Sequence, residues 1–247
     1  MNHPLLACGA KRIVLFCLMA VLVYGCSKDN DENTPPGNFR TVTQSLVDGG
    51  IYYYTTYLYD EQGRIEKLFG SQIYGLLTYA SDSVFYKEYQ LNGFLNASFV
   101  MKMDAAGRFI NDGYETYQYN TDGKLTRRAS ITNPSTYILN TWVDGNNTKE
   151  EYYIDGTLAY TQTATYYTDK PNKAGWDYFR YGFYCFFGGA SDDLVKKTVT
   201  LDKDGQIEND IDWSYEFDDN GLPVKVTLHL NLQGTFYSYY YTYERVE

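Results

Sequence analysis

Five corners written in one pattern constrain this chain more than any other feature. "DEQG" from Asp60, "DAAG" from Asp104, "NTDG" from Asn120, "DKDG" from Asp202 and "DDNG" from Asp218 each place Asp or Asn first and Gly fourth. An Asp or Asn side chain at the first position accepts a hydrogen bond from the backbone two residues on, and Gly at the fourth adopts positive φ without steric cost. That is a type I turn followed by a left-handed glycine bulge, a common connection between antiparallel strands. Three of the corners sit in a longer phrase that repeats an aromatic at every second position: "YLYDEQGRIEKL", "YQYNTDGKLTRR" and "YEFDDNGLPVKV". "QLNG" at Gln90, "WVDG" at Trp142 and "YIDG" at Tyr153 add less regular turns of the same kind.

Between the corners the chain alternates. Ile211, Trp213, Tyr215 and Phe217 share one face of a strand whose other face is Asp212, Ser214 and Glu216. After the turn, Val224, Val226, Leu228 and Leu230 alternate with Lys225, Thr227, His229 and Asn231. A period of two with one apolar side marks half-buried antiparallel strands, and no stretch after residue 39 carries a sustained helical pattern. The spacing between matching glycines is uneven, so the corners are hairpins within one sheet rather than the modules of a solenoid. With strands of ~5 to 6 residues this length holds twelve to sixteen of them, more than an open twisted sheet usually carries. The fold class expected is all-β: a large antiparallel meander of hairpins forming a strongly curved sheet or incompletely closed barrel. The 28 tyrosines suit walls that are apolar in body and wet at the tip.

The chain begins with a different kind of segment. Lys11 and Arg12 precede the apolar run Ile13 to Val23, which is too short for a bilayer span of ~20 residues but suits a secretory signal. "VLVYGC" at its end resembles a bacterial lipobox, which implies diacylation of the Cys26 thiol and cleavage just before it; an ordinary cleaved signal is the alternative. The expected organisation is 1–25 lipoprotein signal peptide, 26–38 acidic tether and 39–247 a single all-β domain. The tether "SKDNDENTPPGN" is polar, acidic and carries two prolines, a composition that does not order itself. Asp29, Asp31 and Glu32 after Cys26 resemble the signal that sends Bacteroidota lipoproteins to the outer face of the outer membrane, with inner-leaflet placement as the alternative.

Charge and residue usage exclude several functions. Removing the signal takes two of 21 Lys and Arg and none of 31 Asp and Glu, leaving 19 − 31 = −12, a surface that repels nucleic acid and anionic lipid. Partners are therefore the membrane, through lipid on Cys26, and a glycan or protein ligand. Cys8 and Cys17 leave with the signal, and Cys185 remains alone, expected as a small core residue without a disulfide. The mature chain has one histidine, His229, on the polar face of a strand, too little for a nucleophile-histidine arrangement or a zinc site. Glu216, Asp218, Asn220 and Gly221 match part of a calcium loop but lack its closing Glu, and turn chemistry accounts for them. No cofactor and no metal are expected, and the chain reads as a non-enzyme; a glycoside hydrolase is the less favoured alternative, because its carboxylate pair is spatial and invisible in sequence.

The segment from Tyr166 to Val199 breaks the pattern with Pro171, Trp176 and a dense aromatic cluster, and reads as a long connection plugging one end of the sheet. The "Y.YD..G" phrases, "YYTDKPNKAGWD", "SDDLVKKTV" and "YEFDDNGLPVKV" together resemble a group of Bacteroidota lipoproteins classed as a domain of unknown function with a porin-like fold. The likeness runs from about residue 50 to the end, and the middle segment is its most specific part. The tyrosine-Asp-Gly phrase by itself is shared with the YD repeats of Rhs-type shells. The resemblance implies a curled, barrel-like antiparallel sheet in an exported protein, and neither a pore nor catalytic residues. Surface lipoproteins rich in Tyr and Trp hold glycans by stacking, which singles out Trp142, Trp176 and Tyr178 as candidate ligand-binding residues, with Trp213 expected in the core. "DSV" at Asp82 resembles a Bacteroidota O-glycosylation acceptor, with Ser83 as attachment point. The function expected is a non-catalytic, surface-anchored outer-membrane lipoprotein that binds an extracellular ligand; the alternative is a structural or assembly subunit of an envelope complex.

Overall fold

The computed structural model describes residues 38–48, 51–175 and 188–246. The chain is a single antiparallel meander: β1 (Asn38–Asp48), β2 (Ile51–Tyr59), β3 (Ile65–Gly70), β4 (Ile73–Tyr79), β5 (Ser83–Gln90), β6 (Leu95–Met103), β7 (Phe109–Asn111) and β8 (Glu115–Tyr119). It continues through β9 (Leu125–Ser130), β10 (Tyr137–Val143), β11 (Asn146–Ile154), β12 (Thr157–Pro171), β13 (Asp193–Asp202), β14 (Ile207–Phe217), β15 (Pro223–Leu230) and β16 (Thr235–Val246). The all-β, strongly curved meander is as the alternation foretells. Each strand pairs with its neighbours in sequence, and β1 also pairs with β16, from Asn38↔Val246 to Val47↔Ser238. The curved sheet thus comes round on itself through β1 and β16, and is incompletely closed at β7, where only Lys102 and Met103 of β6 find partners. Its thinnest stretch is β7, joined to β8 through the single pair Asn111↔Thr116.

Curvature has a repeated local cause. In eight hairpins the return strand carries one extra residue within two residues of its first: Glu66, Asn96, Ile110, Thr126, Glu208 and Val224 directly after it, Thr148 and Ala159 one further on, each without an opposing residue. A bulge bends its strand and increases the local twist, so eight of them in the same place turn a meander into a ring. They also shift the apolar spacing from two to three, as in Ile65 and Leu68, which both face the core.

In a meander, alternate corners lie at the same end. Asp60, Asp104, Asn120 and Asp218 begin corners at one end, together with both termini of the ring, and only Asp202 begins one at the other. The expected turn geometry is present: Asp60 Oδ1 accepts from the backbone N–H of Gln62 and Arg64 at 3.0 and 2.8 Å, and Gly63 has φ +76°. Each neighbouring hairpin is then tied by one side-chain bond. The hydroxyls of Tyr79, Tyr119, Tyr215 and Tyr243 donate to the carbonyls of Ile65, Phe109, Val195 and Pro223, at or next to the start of the adjacent strand, at 2.6 to 2.9 Å.

The core fills this same end of the ring. One apolar cluster is built from β2 to β9 around Ile65, Val84, Met101 and Phe109; a second, from β12 to β16, holds Trp213, Val226, Leu228 and Tyr241. Trp213 is buried, as expected, and its indole N–H donates to Thr198 Oγ1 at 3.2 Å. Ala174, at the start of the connection between β12 and β13, packs into the second cluster. Residues 176–187, including Cys185 and most of the segment expected as a plug, lie outside the described residues.

Candidate functional site

Inward positions change in character along each strand. On β5 the series Val84, Tyr86, Glu88, Gln90 runs from buried through half-buried to exposed; on β14 Trp213 and Ile211 are buried and Asn209 is not. The end opposite the core is a mouth, apolar at its floor and polar towards its rim. On one wall the register sets Asn140, Glu150, Gln162, Thr200 and Asn209 side by side across β10 to β14. Thr200 Oγ1 donates to Gln162 Oε1 at 3.0 Å within this row. Nearer the rim, the paired Tyr152 and Tyr160 meet edge to face, ring centroids 6.3 Å apart, each more than a third exposed.

The facing wall holds two carboxylate networks. Tyr86 donates to Glu88 Oε2 at 2.9 Å, and the amide of Asn96, one of the bulge residues, donates to Glu88 Oε1. The Tyr117 hydroxyl donates to Asp112 Oδ2 at 2.7 Å and lies 3.4 Å from Glu115 Oε2, which also faces Arg128 Nη1 at 3.8 Å. Burial, and after it the charges of Asp112 and Glu115, push the Tyr117 phenol well above its usual range; burial and Glu88 do the same at Tyr86. Both phenols are therefore fixed as neutral donors. Above them Tyr114, on the β7–β8 corner, sets its ring at 79° to that of Phe99 with centroids 6.0 Å apart, while remaining 66% exposed.

Because the Tyr117 hydroxyl touches both carboxylates, it occupies the space between Asp112 and Glu115. A glycosidase pair must flank the sugar instead. The arrangement presents hydrogen-bonding groups and aromatic faces, which is the equipment of a binding site.

Of the residues singled out in sequence, the two described, Trp142 and Ser83, fall elsewhere. Trp142 is half-buried on β10 at the filled end; its indole N–H donates to the Leu125 carbonyl at 2.7 Å and Lys124 Nζ lies 5.0 Å above its ring. It makes the same tie as the four tyrosines and is built into the wall. Lys124 Nζ in turn donates to the carbonyl of Ala190 at 2.6 Å and pairs with Asp192 at 3.0 Å, latching the connection onto the wall. Asn146 reinforces the latch, accepting from the Asp193 N–H and donating to its carboxylate, both at 2.9 Å. Ser83 is 3% exposed, and its hydroxyl donates to Asp82 Oδ1 at 3.0 Å, so a glycan there would first need the side chain drawn out. Cys26, Trp176 and Tyr178 lie outside the described residues. Asp218 Oδ1 accepts from the N–H groups of Asn220 and Leu222, the turn chemistry expected in place of a calcium loop, and no metal-ligating cluster occurs among the described residues. His229 faces outward and stacks on Phe236, centroids 4.2 Å apart.

Sequence reasoning missed Glu88, Arg128, Tyr114, Tyr152 and Tyr160. Their signal was a polar residue on an otherwise apolar stripe, as Glu88 is after Val84 and Tyr86.

The outside of the ring is mixed. Lys197 pairs with Asp210 at 2.8 Å mid-wall and Lys225 with Glu216 at 2.7 Å at the filled end, while Leu58, Phe69, Phe85 and Val100 are outward and exposed on β2 to β6. The class defined is a barrel-like antiparallel meander with an apolar core at one end and a polar mouth at the other.

Solved structures share this fold. A porin-like protein from Bacteroides uniformis ATCC 8492 matches with a TM-score of 0.59 at 17% identity, over 85% of this chain and 99% of that one. A porin-like protein from Bacteroides vulgatus ATCC 8482 matches with a TM-score of 0.53 at 13% identity, over 83% of this chain and 98% of that one. No family model and no curated protein matches the chain. The likeness establishes the fold that the sequence resemblance implied.

Proposed function

We propose that this is a non-catalytic, surface-anchored lipoprotein whose barrel mouth binds an extracellular ligand, a glycan or a protein. The observation that carries the reading is the change of inward side chains from an apolar floor to a rim of tyrosines, carboxylates and amides. Tyrosine rings stack on apolar faces of a ligand, while Asn, Gln and Glu exchange hydrogen bonds with its polar groups.

Anchoring fits the topology. The ring begins at Asn38 at its filled end, so lipid on Cys26 would tether that end to the outer membrane and leave the mouth facing away. The twelve residues from Cys26 to Asn38 span at most ~43 Å. Trp176 and Tyr178 stay candidates by sequence, on the connection at the anchored end. The assembly-subunit alternative, through a free sheet edge, finds none at β1 and β16, which cover each other, and would have to use β6, paired with β7 only at Lys102 and Met103.

The test is a screen of the full chain on a glycan array and an extracellular-matrix protein panel, alongside the Tyr152→Ala/Tyr160→Ala double variant. A hit lost in the double variant, with circular dichroism unchanged, supports the mouth. Silence on both panels, or a hit that the double variant keeps, overturns it.

A further inference from the structure

Exposed apolar side chains gather at the corners around the mouth. Leu91 and Phe94 on the β5–β6 corner, Tyr114 on β7–β8, Ile154 on β11–β12, Ile207 on β13–β14 and Leu232 on β15–β16 are all exposed, Phe94 to 71% and Leu91 to 64%. At the described corners of the opposite end the exposed apolar residues are Val143 and Phe217, at strand ends, and the residues between strands are polar, charged, Ala or Gly apart from the buried Leu222. Exposed apolar side chains scattered singly need no explanation, but a set drawn from successive corners of one rim marks an interaction surface.

Charge narrows the partner. Glu88, Asp112, Glu115 and Glu150 stand inside this rim, against Arg128, the one inward cation among the described residues of the mouth, which already faces Glu115. The mature chain carries −12 in all. A second copy mouth to mouth would bring like charges together, and a neutral sugar would leave the apolar rim uncovered.

Resting on the proposal that the mouth binds a ligand, we propose that the ligand is a cationic amphipathic polypeptide, its apolar side chains seated on the rim and its Lys or Arg side chains among the mouth carboxylates. Apolar contact supplies the holding energy, and the carboxylates supply steering and register.

The test uses the full chain in detergent and a fluorescently labelled twenty-residue Lys/Leu helix with one apolar face, followed by anisotropy. Three probes accompany it: the same composition scrambled to disperse the apolar face, polylysine, and a Glu/Leu helix of the same pattern. The Lys/Leu helix is expected to bind at least tenfold tighter than all three, and to lose at least tenfold in the Phe94→Ser/Leu232→Ser variant and in Glu88→Gln/Glu115→Gln. Val143→Ser, an exposed apolar position at the filled end, should leave it unchanged. Equal binding of polylysine or the scrambled peptide means charge attraction alone and overturns the inference, as does equal binding of the Glu/Leu helix. Concentration-dependent dimers in sedimentation, abolished by Phe94→Ser/Leu232→Ser, would assign the rim to a second copy and overturn it too. A glycan hit lost in Tyr152→Ala/Tyr160→Ala, with no peptide binding, overturns this inference while the mouth reading stands; silence of peptides and panels alike overturns both.

Discussion

At Tyr119 and Trp142 the chain uses two different side chains for one bond, a donor from the end of one strand to a carbonyl at the start of the preceding one. The tie explains why an aromatic with a polar tip stands one to three residues before these corners. Tyr119→Phe keeps the ring and removes the donor, leaving the Phe109 carbonyl without it. The expected loss is about 1 kcal/mol, read as a shift in the urea midpoint with unchanged slope. Gly75 is a stricter position: a Cβ there would lie 2.6 Å from Tyr86 Cε2 and 3.0 Å from Leu68 Cγ. Gly75→Ala is expected to cost ~1 to 3 kcal/mol by overpacking, and the paired Gly75→Ala/Tyr86→Leu should recover part of it. Tyrosines also set the alkaline limit. Burial, first of all, holds the phenols of Tyr57, Tyr86, Tyr117, Tyr241 and Tyr243 above their usual 10.0. A raised folded value means stability that is whole below pH 10 and falls as pH rises beyond it. Tyrosinate absorbance from these groups should therefore appear together with loss of the β circular-dichroism signal, above pH 10, and not as a separate earlier titration.

At the scale of the element, the hairpin is the unit, and most of it was legible. Asp60 to Gly63 announces its turn by residue type, and the alternation of Ile211, Trp213 and Tyr215 announces its strand. What alternation could not announce is the extra residue on the return strand. Val224 follows the period of two with Val226 in the sequence, yet it sits in the bulge, while Pro223 and Val226 are the buried pair. The only trace was a spacing of three, seen also in Ile65 and Leu68, and a single such spacing has many other causes. Trp142 misled for a related reason: its place in the wall depends on the carbonyl of Leu125, seventeen residues away. The carboxylates beside the turns carry an acid prediction. Burial raises the Asp60 and Asp104 carboxyls, but bonds from Arg64 and Arg108 outweigh it and hold both below the usual range. A depressed folded value gives stability that is present above the unfolded value near 4 and is lost as pH falls through the folded one. Asp60→Asn/Asp104→Asn should thus be less stable than wild type at pH 7 and lose less on going from pH 5 to pH 2.

For the whole molecule, pairing of β1 with β16 covers what would otherwise be the two end strands of the meander, which matters for a chain this rich in tyrosine and β-branched residues. Removing residues 38–48 would uncover β2 and β16 together, and the truncated chain is expected to aggregate where the full chain stays monomeric in light scattering. The division of the interior was not readable from local pattern. Glu88 and Glu66 look alike in sequence, but one is inward in the mouth and the other stands in a bulge, a difference fixed only by register around the ring. The pairing of Asn38 with Val246 places the first and last described residues directly opposite one another. The order in which the strands are synthesised is therefore incidental to the finished ring: a short linker from Val246 to Asn38, with new ends opened at the β15–β16 corner, should give a circular permutant that closes into the same barrel.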